Sequence, residues 1–123
     1  APVVDGNILP RNSFDPDASP YSASVPLIVG TVLNEFFNTV QMGDAALEDM
    51  TEAEALQRLG GGTRGFFNAG LGAGAGKVFG AYRRLHPNAT PFEAFSVISA
   101  TSGVRLTALT QAARKAAQGG APA

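Results

Sequence analysis

The sequence predicts an α/β chain, one buried core strand at about residues 25–33 followed by mainly helical segments, and three observations lead there. Val25 to Leu33 (VPLIVGTVL) is a short apolar run rich in β-branched residues, with turn-formers ahead of it. That pattern suits a strand covered on both faces of a parallel sheet. From residue 44 onward, apolar residues recur at helical spacing between recognisable start and stop signals. With 45% hydrophobic and 15% charged residues, the chain has the composition of a protein that buries a core.

Residues 1–24 contain Pro2, Pro10, Pro16 and Pro20 together with Gly6, Asn7, Asn12, Asp15 and Asp17. Missing backbone donors and frequent turn chemistry make this an extended, looping lead-in. The strand and an acidic turn occupy 25–40, and the helical region runs over 44–118, interrupted by a Gly-rich loop at 60–76. A first helix is expected over Asp44 to Met50 and a second over Thr51 to Leu59, where Thr51 and Glu54 have capping-box spacing and Gly60, Gly61 and Gly62 end the run. From Lys77 to Leu85, Val78, Phe79, Tyr82 and Leu85 fall on one face, and Arg83 and Arg84 complement the helix dipole in the last turn before Pro87. Thr90, Pro91 and Glu93 mark the next helix start, followed by Phe92, Phe95, Val97 and Ile98. A last helix is expected from Gly103 to Gln118, with Leu106, Leu109, Ala113 and Ala116 inward and Arg114 and Lys115 outward. One strand alone has no partner in this inventory, so its edge is expected to be open to self-association.

Nine Lys and Arg stand against ten Asp and Glu, so no basic field attracts phosphates, and nucleic acid is not expected as a partner. No stretch reaches the about 20 apolar residues of a membrane span, and no membrane partner is expected. Cysteine is absent, which removes thiolate chemistry and closed zinc sites from this stretch while leaving the cellular compartment open. With one histidine and no D-x-D-x-D-G loop, neither a metal nor a cofactor is expected.

Several motifs compete for a functional role. Gly70, Gly72 and Ala75 fit a loose G-x-G-x-x-A, but no strand precedes them, as a dinucleotide site needs. Gly76 and Lys77 resemble the end of a phosphate loop, but Val78 stands where a magnesium-binding hydroxyl belongs. His86, between Leu85 and Pro87, reads as a helix-end residue bonding the last carbonyls. Phe36, Phe37, Phe66 and Phe67 come in pairs that suit either a core or the apolar wall of a substrate pocket. Glu35 differs from all of these: it directly follows the apolar run, where α/β enzymes keep functional groups and a partly buried carboxylate needs a partner.

Together, P-V-V-D-G-x-x-L-P at residues 2–10 and V-P-L-I-V-G-T-x-x-x-E ending at Glu35 resemble type-B carboxylesterases, the para-nitrobenzyl esterase and cholinesterase relatives among the α/β-hydrolases. The helical stretch YRRLHPNATPFEAFSVISATSGVRLTALTQAARKAAQGGAPA is similar to a helical region of the same family, so the likeness spans essentially the whole chain. Leu33 and Asn34 depart from the more usual Asn or Arg and Asp, while the acid is kept. The resemblance implies a fragment of an α/β-hydrolase fold in which Glu35 is the acid of a Ser-Glu-His triad and the substrate is a small carboxylic ester. It also implies that the nucleophile lies upstream and the catalytic histidine downstream of this stretch, which has no G-x-S-x-G elbow. The polypeptide alone is therefore expected to be inactive. The alternative is a small helical module that binds a protein partner and has no catalytic role.

Overall fold

The computed structural model describes residues 3–33, 35, 45–61 and 70–123. They form two units, one joining the chain up to Gly30 with Leu106–Ala123, the other spanning Thr31–Arg105. The helices are α1 (Ala45–Glu48), α2 (Glu52–Gly60), α3 (Ala75–Leu85), α4 (Pro91–Ala100) and α5 (Leu106–Ala117).

In the Thr31–Arg105 unit, α2 begins at a capping box. The Thr51 hydroxyl accepts from the Glu54 amide at 3.3 Å, and the Glu54 carboxylate accepts from the Thr51 amide at 2.8 Å. Each bond satisfies a donor that the first helical turn leaves free. The helix ends at Gly61, whose φ of 100° is left-handed and open to glycine at little steric cost. Past the glycine-rich stretch, the Leu71 amide returns to the Leu59 carbonyl at 3.0 Å, and a 3-10 turn at Gly72–Gly74 leads into α3. Pro87 pushes His86 out of the helical region, to φ −130° and ψ 71°, and α3 stops there. A second capping box, with Thr90 and Glu93 bonded at 2.7 and 3.1 Å, opens α4.

Helix α4 is the centre of this unit. It packs on α2 and α3 and buries Phe92, Ala94, Phe95, Ile98 and Ala100, but also Ser96 and Ser99. A helix buried nearly all round must be short of charge, and Glu93 at its first turn is the one charged residue it carries. Met50, Ala55, Leu59, Ala75 and Phe79 complete the core, with Leu47, Leu56, Leu71 and Tyr82 at its margin.

The other unit is held by polar contacts. Ala18 is its one buried apolar residue among the described residues, and the centrepiece is a buried cation, Lys115 on α5. Its ammonium donates to the carbonyls of Ser22 and Ala23 at 2.8 and 3.1 Å and to Gln118 Oε1 at 3.0 Å, so all three of its donors are used. Gln118 Nε2 donates to Ser19 at 2.7 Å, and Arg114 donates to the Phe14 carbonyl. Gly120 lies so close to Ala23 that an added Cβ would come within 2.2 Å of its carbonyl oxygen.

Several expectations from the sequence need correction. The α/β class does not hold: the fold is mainly helical and contains no strand among the described residues. Val25 to Leu33 is irregular backbone, and Ile28 is 99% exposed. A strand is defined by its ladder, and no second run forms one; the Leu27 amide instead reaches the Pro122 carbonyl at 3.0 Å. With it, the strand edge expected there does not form among the described residues. Helix α5 turns its expected face outward: Leu106 and Leu109 are exposed, as are Ala113 and Ala116, while Lys115 is inside. The reason is chemical, since this unit offers α5 a row of backbone carbonyls rather than an apolar bed. Of the expected first helix a single turn forms, α1, and on α3 Val78 and Leu85 are exposed, leaving Phe79 as the buried residue of that stripe.

Candidate functional site

Glu35 sits at a turn and is half-buried. The carbonyl of Leu33, two residues before it, accepts a hydrogen bond from Arg105 Nη2 at 3.4 Å, which joins the approach to Glu35 with the turn that follows α4. That turn, Thr101–Arg105, is π-helical. Phe36, Phe37, Phe66 and Phe67 lie outside the described residues, so the expected pocket walls have no geometry to report.

Asp5 of the P-V-V-D-G motif has a structural task. Its Oδ1 accepts from the amides of Asn7 at 3.0 Å and Leu9 at 2.9 Å, folding residues 5–9 into a tight turn. The Asn7 bond, then the Leu9 bond, holds the Asp5 carboxyl below its ordinary range, because both donate to the charged form.

A groove of about 580 Å³ lies along the C-terminal end of α3, the turn at 86–89 and α4. Tyr82, His86, Asn88, Phe92, Glu93 and Ser96 line it, bringing an imidazole, a carboxylate and a hydroxyl to one surface. Nucleophilic catalysis requires those groups in a hydrogen-bonded chain. Among the described residues no such bond links His86, Ser96 and Glu93. The Glu93 carboxylate is engaged by the Thr90 amide as part of the α4 cap, and the imidazole lies against the Tyr82 ring, centroids 4.5 Å apart. His86 stands at the end of α3, where its backbone amide bonds the Tyr82 carbonyl at 2.9 Å. Glu35 is not part of this groove.

Among the described residues no group of three His, Asp or Glu side chains could hold a metal ion, and no helix is long and apolar enough to cross a membrane. The link between Arg105 and Leu33, 72 positions apart, was not foreseeable from spacing, nor was the burial of Lys115. Compared with family models and with curated proteins, the sequence matches none.

Proposed function

We propose that this chain is part of a serine carboxylester hydrolase and that Glu35 is the acid of its Ser-Glu-His triad. The ordered pair of motifs that ends at Glu35 carries the reading, and the second motif itself supports it: Val32 and Leu33, directly ahead of the carboxylate, are exposed apolar side chains. Exposed apolar side chains beside the carboxylate suit a surface that other polypeptide covers. Covering it would bring the rest of the site to Glu35.

In that assembly a serine hydroxyl attacks the ester carbonyl, a histidine takes its proton and returns it to the leaving alcohol, and Glu35 accepts from the imidazole N–H. Glu35 thereby fixes the tautomer and stabilises the imidazolium as it forms. Phe36, Phe37, Phe66 and Phe67 would supply apolar walls to the acyl or alcohol pocket. The polypeptide by itself has no turnover, because nucleophile, base and oxyanion donors must come from elsewhere.

The test is hydrolysis of para-nitrophenyl acetate by the longest polypeptide of the same reading frame, with and without Glu35→Gln. The expected result is activity in that protein and a fall in kcat of about ten-thousand-fold on substitution. Full activity in the Glu35→Gln protein would end the reading. Absence of esterase activity in the long form would favour a helical protein-binding module, a reading that the self-contained core around Phe95 supports.

A further inference from the structure

Arg105 occupies an unusual position. It closes the π-helical turn Thr101–Arg105 at the end of α4, the most buried helix of its unit. Single π turns are rare in helices and recur at functional sites, because the wider turn re-aims the side chains that follow. The Ser102 hydroxyl donates to the Ile98 carbonyl at 2.7 Å, occupying an acceptor at the α4 end. From this base the guanidinium reaches the Leu33 carbonyl at 3.4 Å, and Glu35 follows two residues later at a half-buried turn.

We infer that Arg105 is a positioning residue for Glu35: by gripping the backbone just ahead of the carboxylate, it sets where that carboxylate stands. The inference rests on the reading of Glu35 as the triad acid. Arg105 is suited to the task because it is charged at every relevant pH and donates from a rigid planar fork. Its base, α4, is tied down by Phe92, Phe95 and Ile98, so the grip does not drift with a loop.

Misplacement of a catalytic group by about 1 Å can cost about a hundredfold in rate. In the longest polypeptide of the reading frame, Arg105→Ala should therefore lower kcat for para-nitrophenyl acetate by about ten- to a hundredfold with KM little changed. The pH profile should move as well. A well-placed carboxylate stabilises the imidazolium and holds the histidine pKa up, so loosening Glu35 lets that pKa fall. The acidic limb of kcat/KM then shifts to lower pH. Arg105→Lys keeps a cationic donor and should recover part of both effects. Should Arg105→Ala fail to fold, Arg105→Gln is read the same way.

A loss of activity that only tracks the folded fraction, with the acidic limb unmoved, would reduce Arg105 to a structural role and overturn the inference. So would unchanged kcat and pH profile in a protein that Glu35→Gln inactivates. An unimpaired Glu35→Gln protein would instead remove the triad reading itself, and the inference with it.

Discussion

Two buried polar side chains on the helices are built in opposite ways. Among the described residues no carboxylate pairs with Lys115; three neutral acceptors share its charge. Replacing it with Met keeps the bulk but removes three hydrogen bonds: the Ser22 carbonyl keeps the Val25 amide at 3.0 Å, the Ala23 carbonyl keeps the Ala121 amide at 2.7 Å, and Gln118 Oε1 loses the donor that Lys115 gave it. Lys115→Met is expected to destabilise the chain by about 1–3 kcal/mol in urea unfolding, the cost of losing the charge-assisted hydrogen bonds that tie α5 to residues 22 and 23. No loss would mean that water serves those carbonyls equally well. Ser99 is the reverse case, since its hydroxyl is buried without a hydrogen-bond partner. Ser99→Ala removes the orphan at almost no change in volume and is expected to stabilise by about 1 kcal/mol in the same assay. Destabilisation would show that the hydroxyl has a partner after all.

At the scale of elements, what could be read from the sequence was what is local to it. Both capping boxes have their partners three residues apart, and both form as Thr51 with Glu54 and Thr90 with Glu93. The same holds for the left-handed stop at Gly61 and for the end of α3 before Pro87. Helix α5 was legible as a helix but not in its orientation. Periodicity says that Leu106, Leu109, Ala113 and Ala116 share a face, whereas which face is buried depends on a loop about a hundred residues away in sequence. Thr90→Ala should cost about 1 kcal/mol, because it frees the Glu93 amide at the start of the central helix. Circular dichroism during urea unfolding checks this, and an unchanged midpoint would contradict it.

The α2 cap also predicts a pH dependence. The Thr51 amide, then the Thr51 hydroxyl, holds the Glu54 carboxyl below its ordinary value near 4.5. A depressed folded value means that the cap contributes fully above the unfolded value. Its contribution is lost as pH falls below about 4.5 and through the lowered folded value. Thermal unfolding followed from pH 6 to pH 3 should therefore decline more steeply for the parent chain than for Glu54→Gln. Identical slopes would mean that the carboxylate is not charged when it caps.

For the whole molecule, the decisive segment is Val25 to Leu33. Its composition is that of a buried strand, yet burial needs neighbours, and composition says nothing about whether neighbours are there. Val25, Ile28, Val32 and Leu33 in it are exposed, and under the proposed reading they are the side chains that the rest of the hydrolase would cover. Arg105 was invisible to local reading for the same reason as α5: its partner at Leu33 is brought close only by the fold. Among the described residues, a self-supporting core lies within Thr31–Arg105, while the other unit rests on hydrogen bonds and ion pairs such as Arg114 with Asp15 at 3.5 Å.

Ile28, 99% exposed here, reports on this directly. The stability change caused by Ile28→Ala should be measured twice by urea unfolding, once in this chain and once in the longest polypeptide of the reading frame. Exposure in the first and coverage in the second predict a change within about 0.5 kcal/mol here and a loss of about 2–5 kcal/mol there. Equal small effects in both would mean that nothing covers the segment ahead of Glu35, and the chain would then not be a part of a larger hydrolase.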